Sequence, residues 1–188
     1  MLLRTMKIAC LDFETANNSD ASICAAGIAV FVGGQMEQTR HWLIRPPRPH
    51  HYFLFTHIHG LAWSDVEDAP EFPAIAAELL PILQAADVVV AHNASFDLRK
   101  LRGTLTHFGM KCPQLTHLCT CQLARRIWPD LPNRQLGTLA AHIGHRFNHH
   151  NALEDAEAAG RILLAMMKHE GVDNPMELLA SKRQEAVR

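Results

Sequence analysis

Apolar residues fall along this chain in two rhythms, and the change from one to the other marks out the fold. From Met6 to Phe13 and again from Ile23 to Val32 they run almost without interruption, and the second run ends at Gly33-Gly34, a pair suited to a tight hairpin turn. Gln35 to Arg45 then mixes polar and apolar positions, as a third strand would. The pattern predicts an antiparallel meander at the front of the chain. The segment Pro46-Pro47-Arg48-Pro49-His50-His51-Tyr52 holds too many prolines for regular structure and is read as a surface loop.

Beyond that loop the period lengthens. Ile75, Leu79, Leu80 and Leu83 recur at helical spacing within Pro73 to Ala86. Pro73 sits in the first turn, where its missing N–H is harmless, whereas Pro81 lies further in and is expected to kink or split the helix. Asp87 to Ala91 reads as a short strand buried on both faces. A helix carrying Leu98, Leu101, Leu105 and Phe108 follows, with Gly109 as its stop. Two shorter helices are expected at Gln122 to Trp128 and Gln135 to Ile143. The clearest helix is Ala152 to His169, alanine-rich, with Leu153, Ala156, Ala159, Gly160, Leu163, Leu164 and Met167 along one side and Gly171 at its end. The expectation is an α/β fold, a mixed sheet with helices on both faces. Residues 1–173 are read as one domain and 174–188 as a short tail, with a turn or two of helix before a charged end.

Composition narrows the class. A chain of 188 residues, 48% apolar and 20% charged, suits a soluble domain with a sizeable core. It shows neither a run of membrane-spanning length nor a signal peptide, so a cytoplasmic protein with no membrane partner is expected. The net charge of −1 argues against binding a long polyanion over the whole surface, so any nucleic acid would have to be gripped locally. Five cysteines, an odd number without a zinc-type array, read as reduced thiols. The thirteen histidines are scattered, with doublets at His50-His51 and His149-His150, and most are read as surface or loop residues. Trp42, Trp63 and Trp128 fit either core or interface, which leaves the oligomeric state open.

Candidate chemistry lies in three stretches, Leu11-Asp12-Phe13-Glu14-Thr15, His92-Asn93-Ala94-Ser95-Phe96-Asp97 and His150-Asn151-Ala152-Leu153-Glu154-Asp155. Asp12 and Glu14, two apart on a strand, point to one face, where their repulsion is relieved either by a hard divalent cation or by solvent at the strand's end. Asp97 follows the buried strand and is either a third ligand or a first-turn acid complementing the helix dipole. His150 and Asp155 are five apart, roughly 140° on a helix, so both cannot face one site from helical positions. His150 is therefore placed on a mobile loop before the helix as a general base, with Asp155 in the opening turns as a metal ligand. Each motif alone is weak, and a surface position explains any one of them.

Taken together and in this order, these residues closely resemble the DnaQ-like 3′-5′ exonucleases of the DEDDh type, a group that includes the proofreading epsilon subunit of bacterial DNA polymerase III, oligoribonuclease and ribonuclease T. The D-x-E motif is matched by Asp12 and Glu14, the second motif by Asp97, and H-x-A-x-x-D by His150, Ala152 and Asp155; His149 is one residue out of register. The resemblance runs from Lys7 to Ala165 and includes Phe55 to Leu61 and Leu131-Pro132-Asn133. It implies a ribonuclease H-like five-stranded mixed sheet flanked by helices, with two divalent cations, Mg²⁺ or Mn²⁺, held by Asp12, Glu14, Asp97 and Asp155. His150 would be the base, and the products would be 5′-mononucleotides released from the 3′ end of single-stranded DNA or RNA. Substrate contacts are expected from Thr15, Ile58, His59, Leu61, Asn93 and Phe96. Arg99, Lys100 and Arg102 either meet the phosphodiester or form a solvated helix face. Two other roles stay open, a subunit working mainly inside a polymerase assembly and a silent nucleic-acid-binding module; the short tail after Leu179 favours a stand-alone enzyme.

Overall fold

In a computed structural model, residues 6–180 are described. The start of the chain and the charged end of the tail, on which two of the expectations above rest, lie outside the described residues. Strands β1 (Lys7–Thr15), β2 (Ile23–Val32) and β3 (Gln35–Leu43) come first, and two helices of four residues follow, α1 (Thr56–His59) and α2 (Trp63–Val66). Then come α3 (Phe72–Gln84), β4 (Val88–Ala91), α4 (Ala94–His107), β5 (His117–Cys119), α5 (Thr120–Ile127), α6 (Leu136–His142), α7 (Ala152–Glu170) and a 3₁₀ turn at Pro175–Leu179.

The strands form one mixed sheet in the order β3-β2-β1-β4-β5, antiparallel across β3-β2-β1 and parallel across β1-β4-β5. Gly33 and Gly34, at φ 57° and 81°, make the hairpin turn from β2 to β3. Alternation along β1 separates two cores. Ile8 and Cys10 join Val88, Val90, Leu123, Leu139, Ile162, Leu163 and Met166 on the side of α5, α6 and α7. Ala9, Leu11 and Phe13 face Phe72, Ile75, Leu79, Leu101 and Leu105 of α3 and α4. Leu178 of the final 3₁₀ turn is buried in the first core, so the tail is packed at least that far. Trp128 is buried in it too, while Trp42 and Trp63 are half-buried.

The observed elements depart from the expected ones in instructive places. Helix α3 runs unbroken through Pro81. A proline removes one hydrogen bond, but Leu79 before it and Leu83 after it are both buried, and that packing holds the turns in line. Strand β5 is only three residues long and leads directly into α5, so no periodicity announces it. The third strand stops at Leu43, and Arg45 instead makes an isolated bridge to Glu71. All five cysteines are free, Cys10, Cys24 and Cys119 buried and Cys112 and Cys121 partly so.

Helix α7 approaches the sheet closely. A Cβ built on Gly27 of β2 would lie 2.1 Å from the carbonyl carbon and oxygen of Ala152 and 2.3 Å from the amide nitrogen of Leu153. Eight residues further along α7, a Cβ on Gly160 would meet Phe31 at 2.3 Å and Cys10 at 2.8 Å. Eight helical residues rise about 12 Å and the four strand residues from Gly27 to Phe31 about 13 Å, so the helix lies along β2 with its glycine and alanine positions against the sheet. At Gly27 the obstacle is backbone and cannot swing away. Gly27→Ala is expected to cost about 3 kcal/mol or more, a fall in Tm of roughly 6–12 °C for a chain of this size. Gly137→Ala in α6, where the new Cβ meets nothing within 4 Å, should leave Tm unchanged or raise it slightly; thermal unfolding of the two variants side by side checks the contrast.

Candidate active site

The site forms where the sheet opens. The parallel ladder between β1 and β4 ends at the pair Cys10 and Val90, while β1 continues to Thr15. After β4 the chain turns away through Asn93, held at φ 62° in the left-handed region, and enters α4. The end of β1 thus projects past its parallel neighbour, at the carboxyl ends of both strands, where crevices of α/β sheets open.

Asp12 and Glu14 share the face of β1 that carries Ile8 and Cys10 and therefore point toward the layer of α7. Asp12 pairs in register with Gly27, the residue on which the start of α7 rests. Asp155, three residues beyond Ala152 and on the same side of the helix, is delivered to both acids. One carboxylate oxygen from each of Asp12, Glu14 and Asp155 lies within 4.8 Å of the others. Asp97 arrives from the opposite layer. Its Oδ1 accepts the backbone N–H of Phe13 at 3.1 Å, so it is fixed to the amide between the two β1 acids.

These acids are crowded and largely dry. Burial, then Asp97, Asp155 and Glu14, push the Asp12 carboxyl well above the ordinary carboxylate range. Glu14 is raised to about 8, by burial first and then by Asp155 and Asp97. Asp97 is raised to about 8, chiefly by burial, against the opposing pull of the Phe13 amide, and Asp155 to about 7, again chiefly by burial. Asp155 Oδ1 is buried without a hydrogen-bond partner among the described residues. An orphaned carboxylate oxygen beside two further acids fits a cation, and an all-oxygen donor set fits a hard one such as Mg²⁺ or Mn²⁺.

His150 lies on the turn before α7, as its spacing from Asp155 demands, but this turn is pinned. The His150 amide donates to Asp155 Oδ2 at 3.3 Å, the Asn148 amide to Glu154, and the Glu154 amide to the capping Asn151 side chain at 3.2 Å. His150 itself sits at φ 68°, and its ring stacks on that of His149 at 3.9 Å.

The remaining expected contacts divide. Asn93 and Phe96 line an open cleft of about 690 Å³ together with Asp12, Glu14, His150 and Asp155. Thr15, Ile58, His59 and Leu61 form a neighbouring group. His59 Nδ1 accepts the Leu61 amide at 3.1 Å and Nε2 donates to the Thr15 carbonyl at 3.2 Å, so both ring nitrogens serve the backbone. Thr15 is buried, while Ile58 is exposed. Burial lowers the His59 pKa from the usual histidine value, the Thr15 bond opposing it.

Lys100 is neither a solvated residue nor a phosphate grip. It is buried and donates to the carbonyls of Asn18 and Ser19 at 2.9 and 2.7 Å, bracing the turn after β1, while Arg99 pairs with Asp20 at 3.3 Å. The basic residues at the cleft are instead Arg125 and Arg134, contributed by α5 and by the approach to α6. Arg134 stands directly after Leu131-Pro132-Asn133, and that position was the available signal. The histidine of the second motif, His92, also lines the cleft. Its Nδ1 meets Thr120 Oγ1 at 2.9 Å, and burial lowers its pKa to about 4, so it stays neutral and bridges the start of α5. Asn17, fully buried, donates to the carbonyls of His50 and Tyr52 at 2.9 and 2.7 Å and fastens the proline-rich loop beside the end of β1.

Comparison with known proteins meets this geometry. The sequence matches the exonuclease family described as RNase T over residues 9–163. It is 31% identical over 160 residues to the PolC-type DNA polymerase III of Caldanaerobacter subterraneus subsp. tengcongensis and 29% identical over 162 residues to the 3′-5′ exonuclease DinG of Bacillus subtilis. Each match takes in 84% of this chain, but the chain spans only 11% and 17% of those two relatives. Among solved structures, exonuclease X in complex with 5′-overhanging duplex DNA superposes with a TM-score of 0.70 at 25% identity, covering 87% of this chain and 93% of that one. Solved DEDDh nuclease domains of lower identity share the ribonuclease H-like sheet and its flanking helices. Among the described residues no helix is long and apolar enough to cross a membrane. With its sheet, its acids and its sequence in agreement, the chain belongs to the DEDDh exonuclease family.

Proposed function

We propose that the chain is a 3′-5′ exonuclease that removes 5′-mononucleotides from the 3′ end of single-stranded nucleic acid, with DNA favoured over RNA. The observation that carries this reading is the convergence of one carboxylate oxygen from each of Asp12, Glu14 and Asp155 within 4.8 Å, together with a buried Asp155 Oδ1 that has no hydrogen-bond partner among the described residues. The direction rests on the resemblance of the motifs and on the likeness to DinG, and the DNA preference on the likeness to PolC-type polymerase and exonuclease X.

Asp12, Glu14, Asp97 and Asp155 would hold two divalent cations, Mg²⁺ or Mn²⁺. Such ions supply an acidified water and offset the charge that builds on the phosphoryl oxygens and the leaving 3′ oxygen. His150, beside Asp155 at the mouth of the cleft, takes the proton of the attacking water as general base. The Phe13 amide keeps Asp97 in register with the β1 acids. Phe96 and Asn93 stand at the cleft for the terminal base and sugar, Ile58, His59 and Leu61 lie on the segment tied to Thr15 at the end of β1, and Arg125 offers positive charge to the phosphates, while Arg134 donates to the carbonyls of Pro129, Leu131 and Asn133 and holds the approach to α6. Stacking on such side chains tolerates any base. The likeness to PolC-type polymerase III supports a second reading, in which the domain acts within a polymerase assembly; co-elution with a replicative polymerase on gel filtration tests it.

Asp12→Ala and Asp155→Ala should abolish Mg²⁺-dependent shortening of a 5′-labelled oligonucleotide while leaving the fold intact, and an unchanged rate in either would remove the two-cation assignment. His150→Ala should slow turnover by about 10²–10⁴-fold, and a matched DNA and RNA pair in the same gel assay reads the substrate preference directly. The raised acids also set a pH dependence of stability. Their pKa values lie above those of an unfolded carboxylate, so their contribution is fully present below about pH 4 and is lost as pH climbs through about 7–8. In the metal-free protein, Asp12→Asn should therefore raise Tm relative to wild type, by more at pH 8 than at pH 5, and should lose the Tm gain that Mg²⁺ gives wild type at pH 8. A Tm for the variant below that of wild type at pH 8 would contradict this.

A further inference from the structure

Consecutive residues of an extended chain point to opposite sides. His149 and His150 do not. The left-handed φ of 68° at His150 folds the turn so that the two imidazoles stack at 3.9 Å with 17° between their planes. A positive φ at a residue other than glycine costs free energy and persists only where its surroundings hold it. Here the hold comes from the His150 amide on Asp155 and the Asn148 amide on Glu154. The His149 ring is fixed from its other side by Phe147, edge-on at 5.6 Å, and Phe147 in turn stacks on His145 at 5.8 Å. The result points two ring nitrogens at one carboxylate. His149 Nε2 lies 3.7 Å from Asp155 Oδ2, and one donor atom from each of His149, His150 and Asp155 falls within 4.8 Å of the other two.

This second group differs in chemistry from the first. Asp12, Glu14 and Asp155 offer oxygen alone, which suits Mg²⁺ and Mn²⁺, whereas two imidazoles and one carboxylate suit a borderline first-row ion such as Zn²⁺ and leave a position open. Asp155 belongs to both groups, with Oδ1 unpartnered among the described residues and Oδ2 facing His149. We propose that His149, His150 and Asp155 form a Zn²⁺-binding site beside the carboxylate centre, and that its occupation shuts the enzyme down. A zinc ion there ties up the lone pair that His150 needs to accept a proton and draws Asp155 away from Asp12 and Glu14. Rotation of the stacked rings away from one another turns one nitrogen of each onto a single ion. His149, which has no part in the hydrolysis described above, is the residue that makes the site specific for such an ion.

The inhibition rests on the nuclease reading, but the binding does not, and the test separates them. Zn²⁺ is titrated by calorimetry into the full chain in millimolar Mg²⁺ without nucleic acid, and Co²⁺ is added in parallel as a coloured substitute that reports nitrogen ligation by its visible absorption. Wild type is expected to take up one zinc ion that Mg²⁺ does not displace. His149→Ala should weaken it by about tenfold or more, with loss of the cobalt spectrum, while Asp12→Asn retains both. In the digestion assay, micromolar Zn²⁺ should stop wild type in excess Mg²⁺, and His149→Ala should keep the wild-type Mg²⁺-supported rate and resist the zinc. Equal zinc affinity in wild type and His149→Ala would overturn the proposal, as would loss of zinc binding in Asp12→Asn, which would place the ion among the β1 acids. If binding follows the expected pattern but neither protein digests nucleic acid, the site stands and the nuclease reading fails.

Discussion

Backbone against backbone is the contact on which this molecule turns. The first turn of α7 lies on Gly27 so closely that a single methyl group has no room, and Gly27 is the register partner of Asp12. The height of the helix above the sheet, and with it the distance from Asp155 to Asp12 and Glu14, is fixed there. The other small positions of α7, among them Ala156, Ala159 and Gly160, are buried and continue the close approach along the helix. Larger residues would lift α7 and separate the acids. The alanine-rich composition of this helix is thus a requirement of the site as well as a helix preference.

The acids work against the fold they complete. Four carboxyls brought together at low exposure are each pushed toward the protonated form, and no basic side chain among the described residues pairs with Asp12, Glu14 or Asp97. Two apolar cores, one on each face of the sheet, hold them in place. Since the cost of burying charge falls where positive charge compensates it, the arrangement favours cations of high charge density over water. Raised acids and cation affinity are two expressions of one electrostatic imbalance.

How much of this could be read from the sequence follows from which forces are local. The continuous runs of β1, β2 and β4 and the periodicities of α3, α4 and α7 are properties of short windows, and they place Asp12, Glu14, Asp97 and Asp155 on the right elements. The stop of α4 was also legible, because Gly109 adopts the positive φ its type suggests. Strand β5 could not be read, since three residues carry no period and their pairing with β4 is the whole of their identity. Pro81 misled for the converse reason, local chemistry being outweighed by buried neighbours from elsewhere in the chain. Arg99, Lys100 and Arg102 cluster on α4 and suggest a basic face there, but Lys100 is turned inward by carbonyls some eighty positions earlier. The attachment of Asp97 to the Phe13 amide depends on where a ladder ends, and the pairing of His149 with His150 on one backbone angle. Neither leaves a trace in residue spacing.

The segment from His50 to Leu61 is tied down through main-chain atoms and interior groups. Asn17 holds the carbonyls of His50 and Tyr52, the Ala16 carbonyl takes the amides of Leu54 and Phe55, and His59 links Thr15 to Leu61. Tyr52, Leu54 and Ile58, the outward-facing apolar residues of the segment, carry none of these bonds through their side chains. Position and identity are therefore uncoupled along this segment. Its outer side chains are free to be exchanged for others of different size or polarity while the path of the chain, and the end of β1 to which it is tied, stay where they are.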